Sequence, residues 1–241
     1  MAEIINKQTP IASYDYGTIA RGINVENFYG GKYMYISGSA MVSGMILSNK
    51  VFYSKELTSK KNIATTGFSP GIDVDFDLSF GLPRTINGTI LINIPQGFNT
   101  LSNVTNAAKL YLDIYLYKVD TSGTATLLVS GSTFISQFKP LAVNNDEAYS
   151  RIETIGLSLT NQKFKKNEKL RMNVKQFVAA GNTNTIIAGI GHDPANRDDN
   201  NEGEAIVAGS TGPVIQNNTE GTDRFQTDTN LIMQIPFKID I

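Results

Sequence analysis

Apolar and polar side chains alternate with a period of two residues along several short stretches of the chain. The clearest stretch is 72–80, where five apolar residues are interleaved with polar ones, among them Asp73, Asp75 and Asp77. Such alternation is typical of an antiparallel β-strand that has one buried face and one solvated face. The sequence therefore predicts a half-buried strand with three carboxylates on its outer face.

The same alternation predicts further strands, which Gly, Asn and Pro residues separate. They are Ile90–Ile94, Leu110–Tyr117, Thr126–Val129, Ile155–Leu159, Leu170–Val174 and Leu231–Ile241. The apolar run Ile186–Ile190 does not alternate and is interpreted as a strand buried on both faces. We expect Pro95 to end the first of these strands, because proline cannot donate to a ladder of hydrogen bonds. A turn at 120–123 should join the second and third strands into a hairpin. The last strand should stay in phase to the final residue.

Two longer segments follow the strand pattern less well. Segment 37–66 is mixed, and we expect one or two outer strands in it. Segment 193–228 is rich in Asn, Asp and Gly and is interpreted as a long polar loop, which in a compact domain is usually functional or mobile. No segment gives a convincing helix. The sequence predicts one all-β domain over 1–241, a jelly-roll-like antiparallel sandwich with little or no helix, with 1–30 as a candidate N-terminal arm.

Composition narrows the functional classes. The chain has no Cys, which excludes disulfides, thiolate nucleophiles and Cys-ligated zinc. Charged residues make up 18% and the formal net charge is −1. A polyanion needs a basic surplus or a clustered basic face, so we expect no nucleic-acid partner. The run of Lys163, Lys165, Lys166 and Lys169 is interpreted as a solvated turn.

The first nine residues are polar, and no stretch of the chain has the length and apolarity of a membrane helix. We therefore expect no signal peptide, no membrane partner, and folding in a cytoplasm. The glycosylation sequons at Asn87, Asn103 and Asn217 are then interpreted as turn chemistry rather than as glycan sites.

Catalysis has few candidate residues. His192 is the sole histidine, so any Ser-His-Asp arrangement would need it, and no nucleophile motif accompanies it. We prefer a structural interpretation, in which His192 closes a strand and Asp193-Pro194 begins a turn. The Asp193 side chain would then bond the backbone two residues on. We expect neither an enzyme nor a cofactor.

The carboxylates Asp73, Asp75 and Asp77 are the sharpest chemical feature, at steps of about 7 Å along one strand face. They are weak candidates for a hard-cation site or, as a pair, for glycosidase chemistry. The alternative is a solvated face paired with Lys on a neighbouring strand. A second acidic group lies in the long loop at Asp198, Asp199, Glu202 and Glu204. It allows weak calcium binding or no role beyond solubility.

Three tyrosines, Tyr111, Tyr115 and Tyr117, share one face of their predicted strand. They are the interface candidates, because tyrosine combines a large rigid apolar body with a polar tip. The alternative is that a segment of the same chain covers them.

Five short strings are spread over the chain. They are I-A-S-Y-D-Y at 11–16, F-Y-G-G at 28–31, F-K-K-N-E-K-L at 164–170, G-H-D-P at 191–194 and I-P-F-K-I at 235–239. Together they resemble the jelly-roll-like capsid decoration, or cement, proteins of tailed viruses. The resemblance implies a subunit on the outside of a head shell, often trimeric, with no catalytic residues to transfer.

These observations lead to a hypothesis with two alternatives. The chain is expected to be a virion structural protein, a homotrimer that binds the major capsid protein and stabilises or covers the shell. The first alternative is a glycan- or receptor-binding module, such as a tail-fibre head, that uses the three tyrosines. The second is a hydrolase that uses the carboxylates of the 72–80 strand.

Overall fold

The computed structural model describes residues 22–37, 40–54, 58–64, 68–100, 108–138, 148–179, 185–195 and 230–239. This part of the chain forms strands, turns and loops, without a helix. The strands are β1 (Ile23–Ser37), β2 (Ala40–Ser48), β3 (Thr58–Ala64), β4 (Ser69–Ser79), β5 (Arg84–Thr100), β6 (Ala108–Val119), β7 (Ala125–Ser132), β8 (Ser136–Phe138), β9 (Ala148–Phe164), β10 (Lys169–Ala179), β11 (Thr185–Gly191) and β12 (Ile232–Lys238). The predicted all-β, sandwich-like fold is confirmed.

The strands form one continuous sheet in the order β3-β11-β5-β12-β1-β2-β4-β10-β6-β7, with β8 beside β6 and β9 beside β5. The pairings are antiparallel apart from β2 with β4, which meet in parallel at Ile46 and Asp77. The sheet folds over on itself, so that β4, β10 and β6 lie opposite β1, β12, β5 and β9. Two glycines show the close approach: a Cβ on Gly30 would lie 3.2 Å from the Phe76 ring, and one on Gly131 would lie 2.8 Å from Leu157.

The core lies between these two layers. Alternation directs Leu112, Ile114 and Leu116 of β6 inward, and all are fully buried. From the other layer Ile90 and Ile92 of β5 point the same way and are also fully buried. These side chains belong to one hydrophobic cluster. The period-two pattern therefore predicted correctly which side of each of these strands is buried.

The prediction that Pro95 ends its strand is wrong, because β5 runs from Arg84 to Thr100. β5 pairs with β12 up to Asn93 and with β11 from Gln96. Pro95 lies between those two partners, so its lack of an N–H interrupts neither of these two ladders, while along the other edge β5 pairs with β9 through Pro95 and Ile152. A single sequence does not show where a strand changes its partner, and for this reason the proline wrongly predicted a strand end.

Two predicted turns are confirmed. The Asp120 carboxylate accepts hydrogen bonds from the backbone N–H groups of Ser122 (2.9 Å) and Thr124 (2.8 Å), which closes the β6–β7 hairpin. Residues 165–168 form the β9–β10 turn, in which the Lys165 N–H donates to Glu168 at 2.6 Å, while Lys163 and Lys169 lie in the flanking strands. Segment 37–66 contains two strands, as expected, but only β3 is an outer strand, because β2 lies inside the sheet between β1 and β4.

Several expectations fall outside the described residues. These are the greater part of the 193–228 loop with Asp198, Asp199, Glu202 and Glu204, residues 1–21 of the candidate N-terminal arm, and the end of the last strand at Ile241. Strand β1 begins at Ile23, so the last part of the 1–30 segment lies in the sheet. In the described ranges no helix is long and apolar enough to cross a membrane.

The two layers present different outer faces. The first, which we call the charged face, consists of outward side chains of β4, β10 and β6: Asp73, Asp75, Asp77, Lys169, Arg171, Asn173, Lys175, Phe177, Tyr111, Asp113, Tyr115 and Tyr117. The second, which we call the neutral face, consists of outward side chains of β1, β12, β5 and β9: Val25, Asn27, Tyr29, Ile232, Gln234, Thr89, Leu91, Asn93, Ile152, Thr154, Gly156 and Ser158.

Candidate functional site

The charged face unites the two groups of candidate residues that the sequence presented separately. The carboxylates lie on β4 and the tyrosines on β6, and β10 runs between them with both neighbours antiparallel. In register, Arg171 of β10 lies between Asp77 and Tyr117, and Lys175 lies between Asp73 and Asp113. Side chains opposite one another on a sheet face are close enough to interact. The three strands therefore form a single surface.

Each of the three carboxylates of β4 is paired with a cation of β10. Asp73 Oδ2 is 3.2 Å from Lys175 Nζ, and Asp75 Oδ2 is 3.1 Å from Arg171 Nη1. Asp77 accepts from Arg171 Nε at 2.7 Å and Nη2 at 2.9 Å, a two-pronged contact that fixes the guanidinium plane. It also accepts from Lys169 Nζ at 3.1 Å. This is the pairing expected of a solvated face with a cationic neighbour.

Asn173 links two of these carboxylates. Its Nδ2 donates to Asp73 Oδ1 at 2.7 Å and to Asp75 Oδ1 at 2.8 Å. The side chain is buried beneath the ion pairs at 8% exposure. A buried amide that donates to two flanking carboxylates restrains the distance between them.

The ionisation of the row follows from these contacts. Partial burial alone would raise the pKa of Asp77, but hydrogen bonds and charge attraction from Arg171 and Lys169 outweigh it and hold that pKa below its ordinary value. The hydrogen bond to Asp73 raises the pKa of Lys175. A general acid needs a raised carboxyl pKa. The lowered pKa of Asp77 thus opposes a role for that carboxyl as the general acid of a glycosidase pair.

The tyrosines form two aromatic groups on the same face. Tyr111 is stacked on Phe177 with ring centroids 4.9 Å apart, and the Phe68 ring meets its edge at 5.2 Å. Tyr115 and Tyr117 lie side by side, with centroids 6.3 Å apart. Partial burial, and then the negative charge of Asp113, raises the pKa of Tyr111. Contacts within the chain thus cover part of Tyr111.

A cation also joins the two rows. Lys175 Nζ lies 5.7 Å from the centroid of the Tyr115 ring, within the range of a cation–π contact, while it pairs with Asp73. The side chains of β10 were missed as site residues. Their signal was present in the sequence, since Lys169, Arg171 and Lys175 alternate with apolar residues and carry the charge opposite to that of the β4 row.

The remaining candidate, His192, lies away from this surface. It is fully buried, with its ring 5.9 Å from the Phe76 ring in an edge-on contact. The Asp193 carboxylate accepts from the Ala195 N–H at 3.3 Å. The predicted turn, with a side-chain bond two residues on, is therefore confirmed.

Metal binding gains no support from the geometry. Across the described ranges no group of three or more His, Asp or Glu side chains is arranged to hold a metal ion. A cation at Asp73, Asp75 and Asp77 would have to displace the Lys and Arg groups already paired with them. The cation site stays a hypothesis.

Comparisons with known proteins add only distant likenesses. No protein-family model and no curated protein matches the chain. Among solved structures, an α-amino acid ester hydrolase is 10% identical with a TM-score of 0.49, over 88% of this chain and 36% of its own. An aminopeptidase from the marine sediment archaeon Thaumarchaeota archaeon is 6% identical with a TM-score of 0.49, over 90% and 37% respectively. The chain spans less than two-fifths of the length of these enzymes.

A viral capsid protein also matches, more weakly. The VP2 subviral particle of infectious bursal disease virus is 10% identical with a TM-score of 0.26, over 86% of this chain and 46% of its own. The chain therefore has weak likenesses both to enzymes and to a capsid protein. None of these three structures is a decoration protein of a tailed virus, so the finer resemblance stays a prediction.

The prediction that the chain is not an enzyme is contradicted by these matches, which include a hydrolase and an aminopeptidase. It rested on the lack of a recognisable motif around His192. Catalytic groups come together in space from distant positions, so the lack of a motif in one sequence excludes no activity.

Proposed function

We propose that the chain is a structural protein of a virion, and that it binds neighbouring subunits of the shell through the charged face. The observation that carries the proposal is the construction of that face. Its carboxylates and cations are already paired with one another, its strands are held by a rigid core, and three tyrosines stand half-exposed among the ion pairs.

The chemistry of the face suits a protein partner. Tyr and Arg are enriched at the centre of protein interfaces, where they contribute large contact areas. Binding is weakened by the entropy of ordering mobile side chains, and the pairing of Arg171 with Asp75 and Asp77 reduces that cost in advance. Opposite charges also alternate across the face, which favours a partner surface of mixed charge over a polyanion.

The resemblance to decoration proteins supports the virion setting. It implies a partner in the major capsid protein, a location on the assembled particle and synthesis in the host cytoplasm. One of its strings, G-H-D-P at 191–194, forms a strand end followed by a turn, which is the structural role assigned to it.

Glycan binding is the second candidate function. The favouring observation is the aromatic group of Phe68, Tyr111 and Phe177 at one end of the charged face, where Phe68 is 43% exposed. Sugars pack on exposed aromatic rings. A glycan array tests this candidate: binding that Phe68→Ala and Tyr111→Ala abolish would support it over a capsid contact.

A co-sedimentation experiment tests the main proposal. Capsids assembled from the major capsid protein of the same genome are mixed with the wild-type chain and with Arg171→Ala and Tyr115→Ala variants. We expect the wild type to sediment with capsids and each variant to bind at least about tenfold more weakly, since interface Arg and Tyr often contribute above 1.4 kcal/mol. Thr154→Ala, an exposed change on the neutral face, is the matched control and should bind normally.

Two outcomes would overturn the proposal. The first is wild-type protein that stays in the supernatant at every concentration. The second is capsid binding that neither charged-face change weakens. Circular dichroism spectra confirm in each case that the variant is folded. Assays of the wild type with ester and peptide substrates, run alongside, show whether the chain has a hydrolytic activity.

A further inference from the structure

The neutral face has a composition unlike that of an ordinary solvated sheet face. The twelve residues that define it include no charged one, and two lysines, Lys163 and Lys238, lie at one end of it, opposite Thr85 and Ile23. Three apolar side chains stand exposed on it: Val25 at 39%, Leu91 at 42% and Ile152 at 44%. Solvated sheet faces usually carry Lys, Glu or other charges that discourage association. This face therefore lacks the usual protection against contact with another surface.

Its polar groups are partly satisfied by one another. Thr89 and Ser158 share a hydrogen bond of 2.9 Å across β5 and β9, and Thr154 Oγ1 donates to Asn93 Oδ1 at 2.7 Å. Polar groups that already have partners within the face lose less hydration energy when water is removed. The exposed apolar side chains beside them favour removal of that water.

We propose that the neutral face is the contact between two copies of this chain. The inference rests on the proposed function, in which the chain acts as an assembly subunit. Charge complementarity favours a second copy as the partner. A charged partner would bury its Lys, Asp or Glu side chains against a surface with no counter-ion, which is costly. A second neutral face brings no such charge, whereas the charged face of another copy would.

The pairing has a defined symmetry. When one patch meets the same patch on another copy, the contact is isologous and generates a two-fold axis. Two sheets then stack face to face at about 10 Å, with Leu91 and Ile152 of each copy between them. The basic unit would be a pair, in place of the homotrimer that the family resemblance implies, and both charged faces would remain free on the outside.

Light scattering with sedimentation over a dilution series tests the inference. We expect the wild type to be a dimer, and Leu91→Lys and Ile152→Lys to weaken the dimer at least about tenfold, because two-fold symmetry introduces each lysine twice. The matched control is Leu127→Lys on β7, which replaces a leucine that is 50% exposed and lies opposite Tyr117, on the side of the charged face. This variant should remain a dimer, and the spectra of all three should match that of the wild type.

Each other outcome overturns the inference. A wild type that is monomeric at its highest soluble concentration would exclude the dimer. Lysine variants that keep the wild-type mass would place the contact elsewhere. Variants of unchanged mass with a much lower melting temperature would show that a segment of the same chain covers the face. Failure here leaves the proposed function separately testable, since that proposal is measured by capsid binding of the charged-face variants.

Discussion

The charged face and the neutral face lie on opposite sides of one core, and the same alternation of apolar and polar residues builds both. On the charged face the outward positions hold Arg171 and Asp77 within a network of ion pairs. On the neutral face the equivalent positions hold Thr154 and Asn93, joined by a hydrogen bond between uncharged groups. This difference shows that packing of the core determines which positions point outward but does not determine whether those positions hold charged or uncharged residues. Each face can therefore serve a different contact.

The largest effects should separate inward from outward positions on both layers. Ile114→Ala beneath the charged face and Ile92→Ala beneath the neutral face should each lower the free energy of unfolding by about 2–5 kcal/mol, because both side chains are fully buried. Their outward neighbours, Tyr115→Ala and Leu91→Ala, should each cost about 1 kcal/mol or less. Chemical denaturation of dilute protein measures both pairs. If inward and outward substitutions lowered the free energy of unfolding equally, the assignment of these positions to the core and to the two outer faces would be wrong.

An intermediate effect should distinguish the charged face from the neutral one. Arg171→Ala removes the partner of two carboxylates and should destabilise the fold by about 1 kcal/mol, a figure that allows for solvent screening. The loss should shrink in concentrated salt, which weakens ion pairs. Thr154→Ala on the neutral face should cost about 1 kcal/mol or less, with little salt dependence. Urea denaturation of both variants at low and high salt tests this prediction. If salt changed the stability loss of the two variants equally, the proposed difference between the charged and neutral faces would be contradicted.

The pH dependence should also belong to one face only. The folded-state pKa of Asp77 lies below its ordinary value of 3.8. Ionised Asp77 therefore contributes stability that is fully present well above pH 3.8 and is lost as the pH falls below it through the folded-state pKa. Asp77→Asn should be less stable than the wild type at neutral pH, and the difference should narrow in acid. For Thr154→Ala the difference should stay constant over the same range.

The smallest expected effect is that of salt on the dissociation constant of the dimer. Moderate salt should leave the dimer constant almost unchanged, because the neutral face has no ion pairs to screen. Binding to capsids through the charged face should weaken under the same conditions. Sedimentation at two salt concentrations measures both. A dimer that dissociates in salt would mean that charged side chains hold the copies together.

Much of the fold could be predicted from the sequence, because alternation is a local signal. It located the buried side of β4, β5, β6 and β10, and the Asp193-Pro194 pair predicted the turn after His192. The passage of β5 through Pro95 could not be predicted, since it depends on which strands lie alongside. Only part of the charged face could be predicted, namely the carboxylates of β4 and the tyrosines of β6. The pairing of Asp73 with Lys175 could not, because these residues are far apart in the chain and only the strand order brings them together.

The neutral face could not be recognised from the sequence, for two reasons. Its side chains come from four strands spread between Val25 and Gln234, so no local window contains it. Thr, Ser and Asn also carry no distinctive chemistry, and the feature that matters is the missing charge. The prediction of no enzyme was wrong for a related reason, since it took the lack of a local motif as evidence about an arrangement in space.

The most direct test of the account is a cryo-electron microscopy map of the chain bound to capsids of the same virus. We expect the charged face, with Arg171 and Tyr115 at its centre, to lie against the shell. We also expect the neutral face to meet a second copy of the chain. A map in which the charged face points into solvent while another surface contacts the shell would contradict the central claim.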